Sequence, residues 1–91
     1  MDEVKVLMIS GGSPTKETAG SIVKCYVEGK YRNIELKAIG AGAVNQAVKA
    51  IATARSIFAQ RGVDLSCKPG YDEAYIDGNK RTVIIFRLII E

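Results

Sequence analysis

The chain has 91 residues, of which 47% are hydrophobic and 25% are charged, and this composition is typical of one globular domain with a single modest core. It contains no histidine, which excludes Ser–His–Asp and Cys–His catalysis, and its two cysteines, Cys25 and Cys67, are too few for a structural zinc site. No apolar run approaches the roughly 20 residues of a membrane-spanning helix. The acidic start, Met1-Asp2-Glu3, leads directly into a strand pattern, so we expect a cytoplasmic protein without a secretory signal.

The net charge of +3 is unevenly distributed along the chain. No acidic residue lies between Glu35 and Asp64, and the basic residues of this segment are Lys37, Lys49, Arg55 and Arg61. A basic segment of this size is compatible with a phosphate-bearing partner. It is much weaker than the basic surface of a protein that binds nucleic acid tightly.

The first half of the sequence predicts a strand, a helix and a second strand. Val4–Ile9 is rich in β-forming residues, and it is followed by Ser13, a good N-cap, and Pro14, which suits the first position of a helix. Apolar residues then recur at three- and four-residue intervals, which predicts an amphipathic helix from Thr15 to about Glu28. The second strand is predicted to run from Tyr31 or Asn33 to Ile39.

The second half predicts a longer helix and two strands joined by a tight turn. The helix is expected from Ala43 to Gln60, with an apolar stripe formed by Val44, Ala47, Val48, Ile51, Ala54 and Phe58. Val63–Cys67 predicts a third strand that Pro69-Gly70 interrupts, and a short extension follows from Glu73 to Ile76. Asp77-Gly78 is a strong signal for a two-residue hairpin turn. Thr82–Ile90 is the last predicted strand.

The last strand is apolar on both faces, which is typical of a strand in the middle of a sheet. One face carries Thr82, Ile84, Phe86, Leu88 and Ile90; the other carries Val83, Ile85 and Ile89, interrupted by Arg87. Two right-handed βαβ crossovers would place both helices on one face of the sheet. We therefore predict a single two-layer α+β domain over residues 1–91, with βαβαββ order and a mixed four-stranded sheet. The second face of the last strand then needs cover from another layer or from another chain in a homo-oligomer.

Two glycine loops precede the two predicted helices. Gly11-Gly12-Ser13 and Gly40-Ala41-Gly42 would both lie at the carboxyl ends of parallel strands, the edge at which open α/β sheets bind ligands. The N–H groups of a helix start favour an anion such as phosphate, and Asn45 and Lys49, one helical turn apart, could add an amide donor and a positive charge. The alternative is that glycine and serine make good strand-to-helix turns there and that Lys49 lies on a solvated helix face.

The predicted hairpin carries tyrosines and a basic pair, Lys80-Arg81. A β-ribbon of this size could enter a nucleic-acid groove, with the two basic side chains contacting backbone phosphates. Its acidic residues, Asp72, Glu73 and Asp77, oppose binding to a polyanion. The alternative is a charged strand pair that protects the edge of the sheet.

The sequence resembles the stage V sporulation protein S family over nearly its whole length. The resemblance is carried by Ala38-Ile39-Gly40-Ala41-Gly42-Ala43-Val44-Asn45-Gln46-Ala47-Val48-Lys49-Ala50, then Ala54-Arg55, Gly62-Val63-Asp64-Leu65 and Ile76-Asp77-Gly78-Asn79-Lys80-Arg81-Thr82, with Lys5-Val6, Ser13-Pro14 and Ala19-Gly20 near the start. That family is similar to the Alba fold of archaeal chromatin and RNA-binding proteins, which has the same βαβαββ order and commonly dimerises.

The resemblance implies nucleic-acid binding, to DNA or RNA, and a regulatory role in bacterial sporulation or a related developmental pathway. Alba proteins place lysines or arginines in the loop where this chain has Ala41 and Ala43, and this departure predicts weak or conditional binding. The expected contact residues are Gly40, Gly42, Asn45, Lys49, Ser13, Lys80 and Arg81. We expect a homo-oligomer and no metal, cofactor, membrane or enzymatic activity. The rival hypothesis is a protein-interaction or scaffold module of the same fold that does not bind nucleic acid. A small-molecule phosphate site or an enzyme at the same edge is a third, weaker hypothesis.

Overall fold

The computed structural model describes residues 3–31 and 33–91, so Met1 and Asp2, which contributed to the argument against a secretory signal, lie outside the described residues. The six predicted elements occur in the predicted order: β1 (Val4–Ile9), α1 (Thr15–Glu28), β2 (Asn33–Ala38), α2 (Ala41–Ala59), β3 (Leu65–Ile76) and β4 (Asn79–Ile90). The strands form one mixed sheet in the order β1-β2-β4-β3, with β1 parallel to β2 and β4 antiparallel to both of its neighbours. Neither helix in this part of the chain is long and apolar enough to cross a membrane.

The core lies between the two helices and one face of the sheet, as predicted. Alternate residues of each strand point into it, because side chains alternate between the faces of a strand. The largest fully buried side chains come from both helices and from the sheet: Phe58, Ile22, Leu36 and Leu65. The ring of Tyr26 on α1 packs edge-on against Phe58 on α2, with 5.2 Å between ring centroids.

The buried face of α2 contains Ala47, Ile51, Ala54 and Phe58 of the predicted stripe but not Val48. Val48 is 50% exposed, whereas the buried set includes a row of small residues at three- and four-residue spacing: Ala43, Ala47, Ala50 and Ala54. Small side chains allow a helix to approach its neighbours closely, so this alanine row and not the larger Val48 faces inward. The apolar residues of the sequence alone could not distinguish the two rows.

β3 is one continuous strand, so the predicted interruption at Pro69-Gly70 is wrong. Pro69 pairs in register with Phe86 and Gly70 with Ile85. The reason is the position of β3 at the edge of the sheet, since an edge strand has a free side on which proline has no ladder hydrogen bond to donate. The turn at Asp77-Gly78 forms as predicted, with φ of 52° and 77°.

The sheet face opposite the helices is covered in part by charged side chains of the same chain. Val83 and Ile85 on β4 are only 4% and 7% exposed. An ion pair between Lys37 on β2 and Asp72 on β3, 3.7 Å apart, spans β4 above them, because β2 and β3 flank that strand on opposite sides. Exposed apolar residues of this face lie on the edge strand β1, at Val4, Val6 and Met8, and at Ile76 on β3.

Candidate nucleic-acid interface

The two glycine loops are in contact at one end of the sheet. They follow β1 and β2, and these parallel neighbours carry both loops to the same edge. A Cβ atom built on Gly42 would lie 3.6 Å from the Cα atom of Gly11, which is an ordinary van der Waals distance. A side chain at position 42 would therefore contact the other loop, although Gly42 itself is exposed. We call these contacting segments, residues 10–13 and 40–43, the loop junction.

Gly40 determines how the chain enters α2. It is the N-cap residue, with φ 90° and ψ 157°, a conformation that residues with a Cβ atom rarely adopt. Among the described residues, no side chain caps this helix start, and the N–H groups of the exposed Ala41 and Gly42 have no partner within the helix because they lie in its first turn. The first turn also lacks acidic residues. The helix therefore presents free donors and the positive end of its dipole at the loop junction, two residues earlier in the chain than predicted.

Ser13 closes the first loop and does not cap α1. Its Oγ accepts a hydrogen bond from the Ser10 amide at 2.9 Å, and its own amide donates to the Ser10 carbonyl oxygen at 3.1 Å. Pro14 is the N-cap residue, without a side-chain hydrogen bond, and α1 begins at Thr15. The predicted roles of Ser13 as N-cap and of Pro14 as first helical residue are therefore wrong, because the serine hydroxyl is used within the loop.

Gln46 connects α2 to the first loop, and it is not among the predicted contact residues. Its Nε2 atom donates a 2.8 Å hydrogen bond to the carbonyl oxygen of Ser13, 33 positions earlier in the chain. The contact is partly buried. The sequence feature that could have indicated this contact is the four-residue spacing between Gly42 and Gln46, which places both residues on the side of α2 that faces the first loop. Gln46 is a positioning residue that holds the loop junction together.

Asn45 and Lys49 lie on α2, four and eight residues after its first residue, Ala41. Both are exposed and lie four residues apart, so they share one side of the helix. Asn45 is in the second turn, and Lys49 is one turn further from the helix start. No ion pair between residues in the described ranges, 3–31 and 33–91, involves Lys49. Within that part of the chain, the charge of the exposed Lys49 is therefore not balanced by a carboxylate.

The β3–β4 hairpin extends beyond the sheet at the end that carries the loop junction. β2 ends at Ala38, which pairs with Ile84, whereas β3 and β4 remain paired as far as Ile76 and Asn79. We call this two-stranded extension, residues 72–83, the ribbon. Five residue pairs at about 3.4 Å per residue give it a length of roughly 17 Å. In the strand order, β2 lies between β1 and β4, so the second glycine loop lies between the first loop and the ribbon.

The basic pair of the ribbon is only partly available to a ligand. Lys80 forms a 2.9 Å ion pair with Glu73, and both side chains are more than half exposed. Arg81 is exposed and belongs to the opposite face of the ribbon, since successive residues of a strand alternate. The positive charge of the segment without acidic residues, between Glu35 and Asp64, is likewise partly neutralised in the folded chain. Lys37 of that segment forms an ion pair with Asp72, which comes from a distant part of the sequence. Of the predicted contact residues, Gly40, Gly42 and Ser13 form the loop junction, Asn45 and Lys49 continue from it along α2, and Lys80 and Arg81 lie on the ribbon beside it.

A two-layer βαβαββ domain with two contacting glycine loops and a projecting ribbon at one end has the Alba fold. Alba from Thermoplasma volcanium matches the chain with a TM-score of 0.62 at 16% sequence identity, over 92% of this chain and 98% of that chain. The family model of stage V sporulation protein S (SpoVS) matches residues 5–91. The chain therefore belongs to the stage V sporulation protein S family. The predicted fold class and family are confirmed.

Proposed function

We propose that this protein binds nucleic acid weakly or conditionally, as a small regulatory protein in bacterial sporulation or a related developmental pathway. The main supporting observation is the loop junction, where the uncapped start of α2 offers free N–H donors, with the exposed Lys49 about two helical turns further along the same helix. Such a helix start suits a backbone phosphate, and a lysine on the same helix adds positive charge without reading sequence. The family name supports the sporulation part of this proposal.

The arrangement favours weak binding for a physical reason. The helix start contributes partial charges only, and the first-turn residues Ala41 and Ala43 add no full charge. Lys80 and Lys37 are each paired with a carboxylate. Few phosphates can then be neutralised at once, and the number of neutralised phosphates determines the electrostatic part of the affinity.

The direct test is a fluorescence titration of single- and double-stranded DNA and RNA at about 50 mM and about 200 mM salt. Each neutralised phosphate should weaken binding about threefold over that range. Lys49→Ala should raise Kd about threefold at the lower salt and reduce the slope of log K against log salt by about one. Lys30→Ala is the matched control, because that exposed lysine follows α1 at the opposite end of the sheet. Absence of binding at the lower salt would contradict the proposed function.

Removing the acidic partner of Lys80 should increase affinity. In Glu73→Gln the ribbon loses one negative charge and the Lys80 ammonium group is released from its ion pair. We expect Kd to fall about threefold and the salt slope to increase by about one, with little change in stability because an exposed pair contributes about 0–1 kcal/mol. Glu28→Gln makes the same change in net charge at the far end of α1 and should leave affinity unchanged. Equal effects of the two variants would show that only net charge matters.

The second candidate function is a protein-interaction module of the same fold. It is favoured by the acidic residues of the ribbon and by the paired state of Lys80. The titration above separates the two candidates, since a pure interaction module shows no salt-dependent binding to any of the four nucleic acids.

Self-association is part of the proposal and is supported by the Alba fold and by the exposed apolar residues Val4, Val6 and Met8 on the edge strand β1. Sedimentation velocity at increasing concentration should show a mass above that of the 9.8 kDa chain. A monomer at all concentrations up to roughly 100 µM would contradict it, because a specific interface normally associates well below that range.

A further inference from the structure

The two most exposed tyrosines of the chain lie on one face of the ribbon and its base. Tyr71 is 83% exposed and Tyr75 is 71% exposed. They pair in register with Ile84 and Lys80, and they are four residues apart on β3, so both rings project from the same face. The rise of a strand separates them by about 13 Å. Side chains of this size are normally placed where one side of the ring can be buried, and here both rings are largely bare.

The surface around these rings suits a flat apolar group and not a phosphate. A hollow of about 240 Å³ beside Tyr71 is lined by Pro69, Gly70, Tyr71 and Ile84. Between the two rings lies Glu73, whose carboxylate repels phosphate, and its charge is balanced by Lys80 at 2.9 Å. The strip of surface between the two rings therefore carries no net charge and has an apolar edge at the hollow. The groups that attract an anion at this end of the molecule lie instead at the loop junction and along α2.

We propose that Tyr71 and Tyr75 form a stacking platform for unpaired bases, so that the ligand of this protein is single-stranded nucleic acid. The inference rests on the proposed function and specifies its ligand. The loop junction holds the phosphates of the strand, and the tyrosines contact the faces of bases that are not paired. A duplex directs its phosphates outward and keeps its bases stacked inside, so it gains nothing from a neutral strip with two exposed rings. Stacking on aromatic side chains is tolerant of sequence, since every base has a π face.

The test compares a single-stranded oligothymidine of about 12 nucleotides with an abasic oligomer that carries the same number of phosphates. The wild-type chain should bind the oligothymidine at least about fivefold more tightly than the abasic strand. Tyr71→Ala and Tyr75→Ala should each weaken oligothymidine binding about fivefold or more, with no change for the abasic strand and no change in salt slope. Tyr71→Phe and Tyr75→Phe keep the ring and should bind as the wild type does. Val27→Ala removes an exposed apolar side chain at the far end of α1 and serves as the control.

The possible failures are distinguishable. If the wild type binds both oligomers equally, or if the alanine variants bind oligothymidine normally, the stacking platform is wrong while the proposed function stands. If the wild type binds neither oligomer nor any duplex, both proposals fall. If the alanine variants change the sedimentation coefficient of the free protein, the rings belong to a protein contact and the stacking platform is overturned.

Discussion

Replacing Gly40 with alanine is expected to lower the free energy of unfolding by about 1–3 kcal/mol. The cause is the backbone and not a lack of space, since a Cβ atom built at this position meets no atom within 4 Å. The φ of 90° and ψ of 157° must be retained for β2 to lead directly into α2, and an L side chain is strained there. Because a domain of this size is stable by only about 5–15 kcal/mol, the loss is large. Urea denaturation monitored by circular dichroism measures it.

Gly42→Ala is the matched control for this change. Gly42 lies in the first turn of α2, and its added methyl group would meet the Cα atom of Gly11 at 3.6 Å, an ordinary contact. We expect a change within about 1 kcal/mol and toward greater stability, because alanine is the better helix former. If Gly40→Ala were as stable as Gly42→Ala, the unusual backbone at the helix start would not be needed for folding.

Gln46→Ala is expected to lower the free energy of unfolding by about 1–2 kcal/mol. The variant removes the 2.8 Å hydrogen bond to the Ser13 carbonyl oxygen and leaves that partly buried acceptor without its side-chain partner. It should also loosen the contact between the two loops, because this bond joins segments 33 positions apart. The measurement is urea denaturation together with amide hydrogen exchange of Gly11, Gly12 and Gly42.

Gln60→Ala provides the control, since Gln60 is exposed at the other end of the same helix. It should change stability by less than about 0.5 kcal/mol, as is usual at the surface. Equal losses in the two glutamine variants, or unchanged exchange at the glycine amides in Gln46→Ala, would mean that Gln46 does not hold the loops together.

The order of elements could be predicted because local chemistry marks nearly every boundary. Gly29 and Gly62 follow the two helices, and Asp77-Gly78 forms the hairpin turn that its sequence predicts. The apolar residues on both faces of the last strand correctly predicted its place in the middle of the sheet. The interruption at Pro69 was wrong because strand position decides whether proline is tolerated, and position is a property of the whole sheet.

The meeting of the two glycine loops could also be predicted, since parallel neighbouring strands deliver both loops to one edge. The side-chain contacts that stabilise this edge and change its charge could not be predicted. The Gln46–Ser13 hydrogen bond and the Lys37–Asp72 ion pair join residues more than 30 positions apart, and their formation depends on side-chain directions that no local pattern encodes. For the same reason, the segment between Glu35 and Asp64, which contains no acidic residue, has an acidic side chain from another part of the chain beside it in the folded structure.

The most direct test of the central claim is an NMR titration of the isotope-labelled protein with single-stranded oligonucleotide at about 50 mM salt, followed by addition of salt to about 200 mM. Binding at the loop junction predicts that the largest shifts occur at the amides of Gly11, Gly12, Ala41 and Gly42, with smaller shifts along the ribbon. The shifts should decrease at the higher salt, because counterions compete for the phosphates. Shifts confined to the opposite sheet face around Val4 and Met8, or no shifts at all, would contradict the claim that this end of the molecule binds nucleic acid.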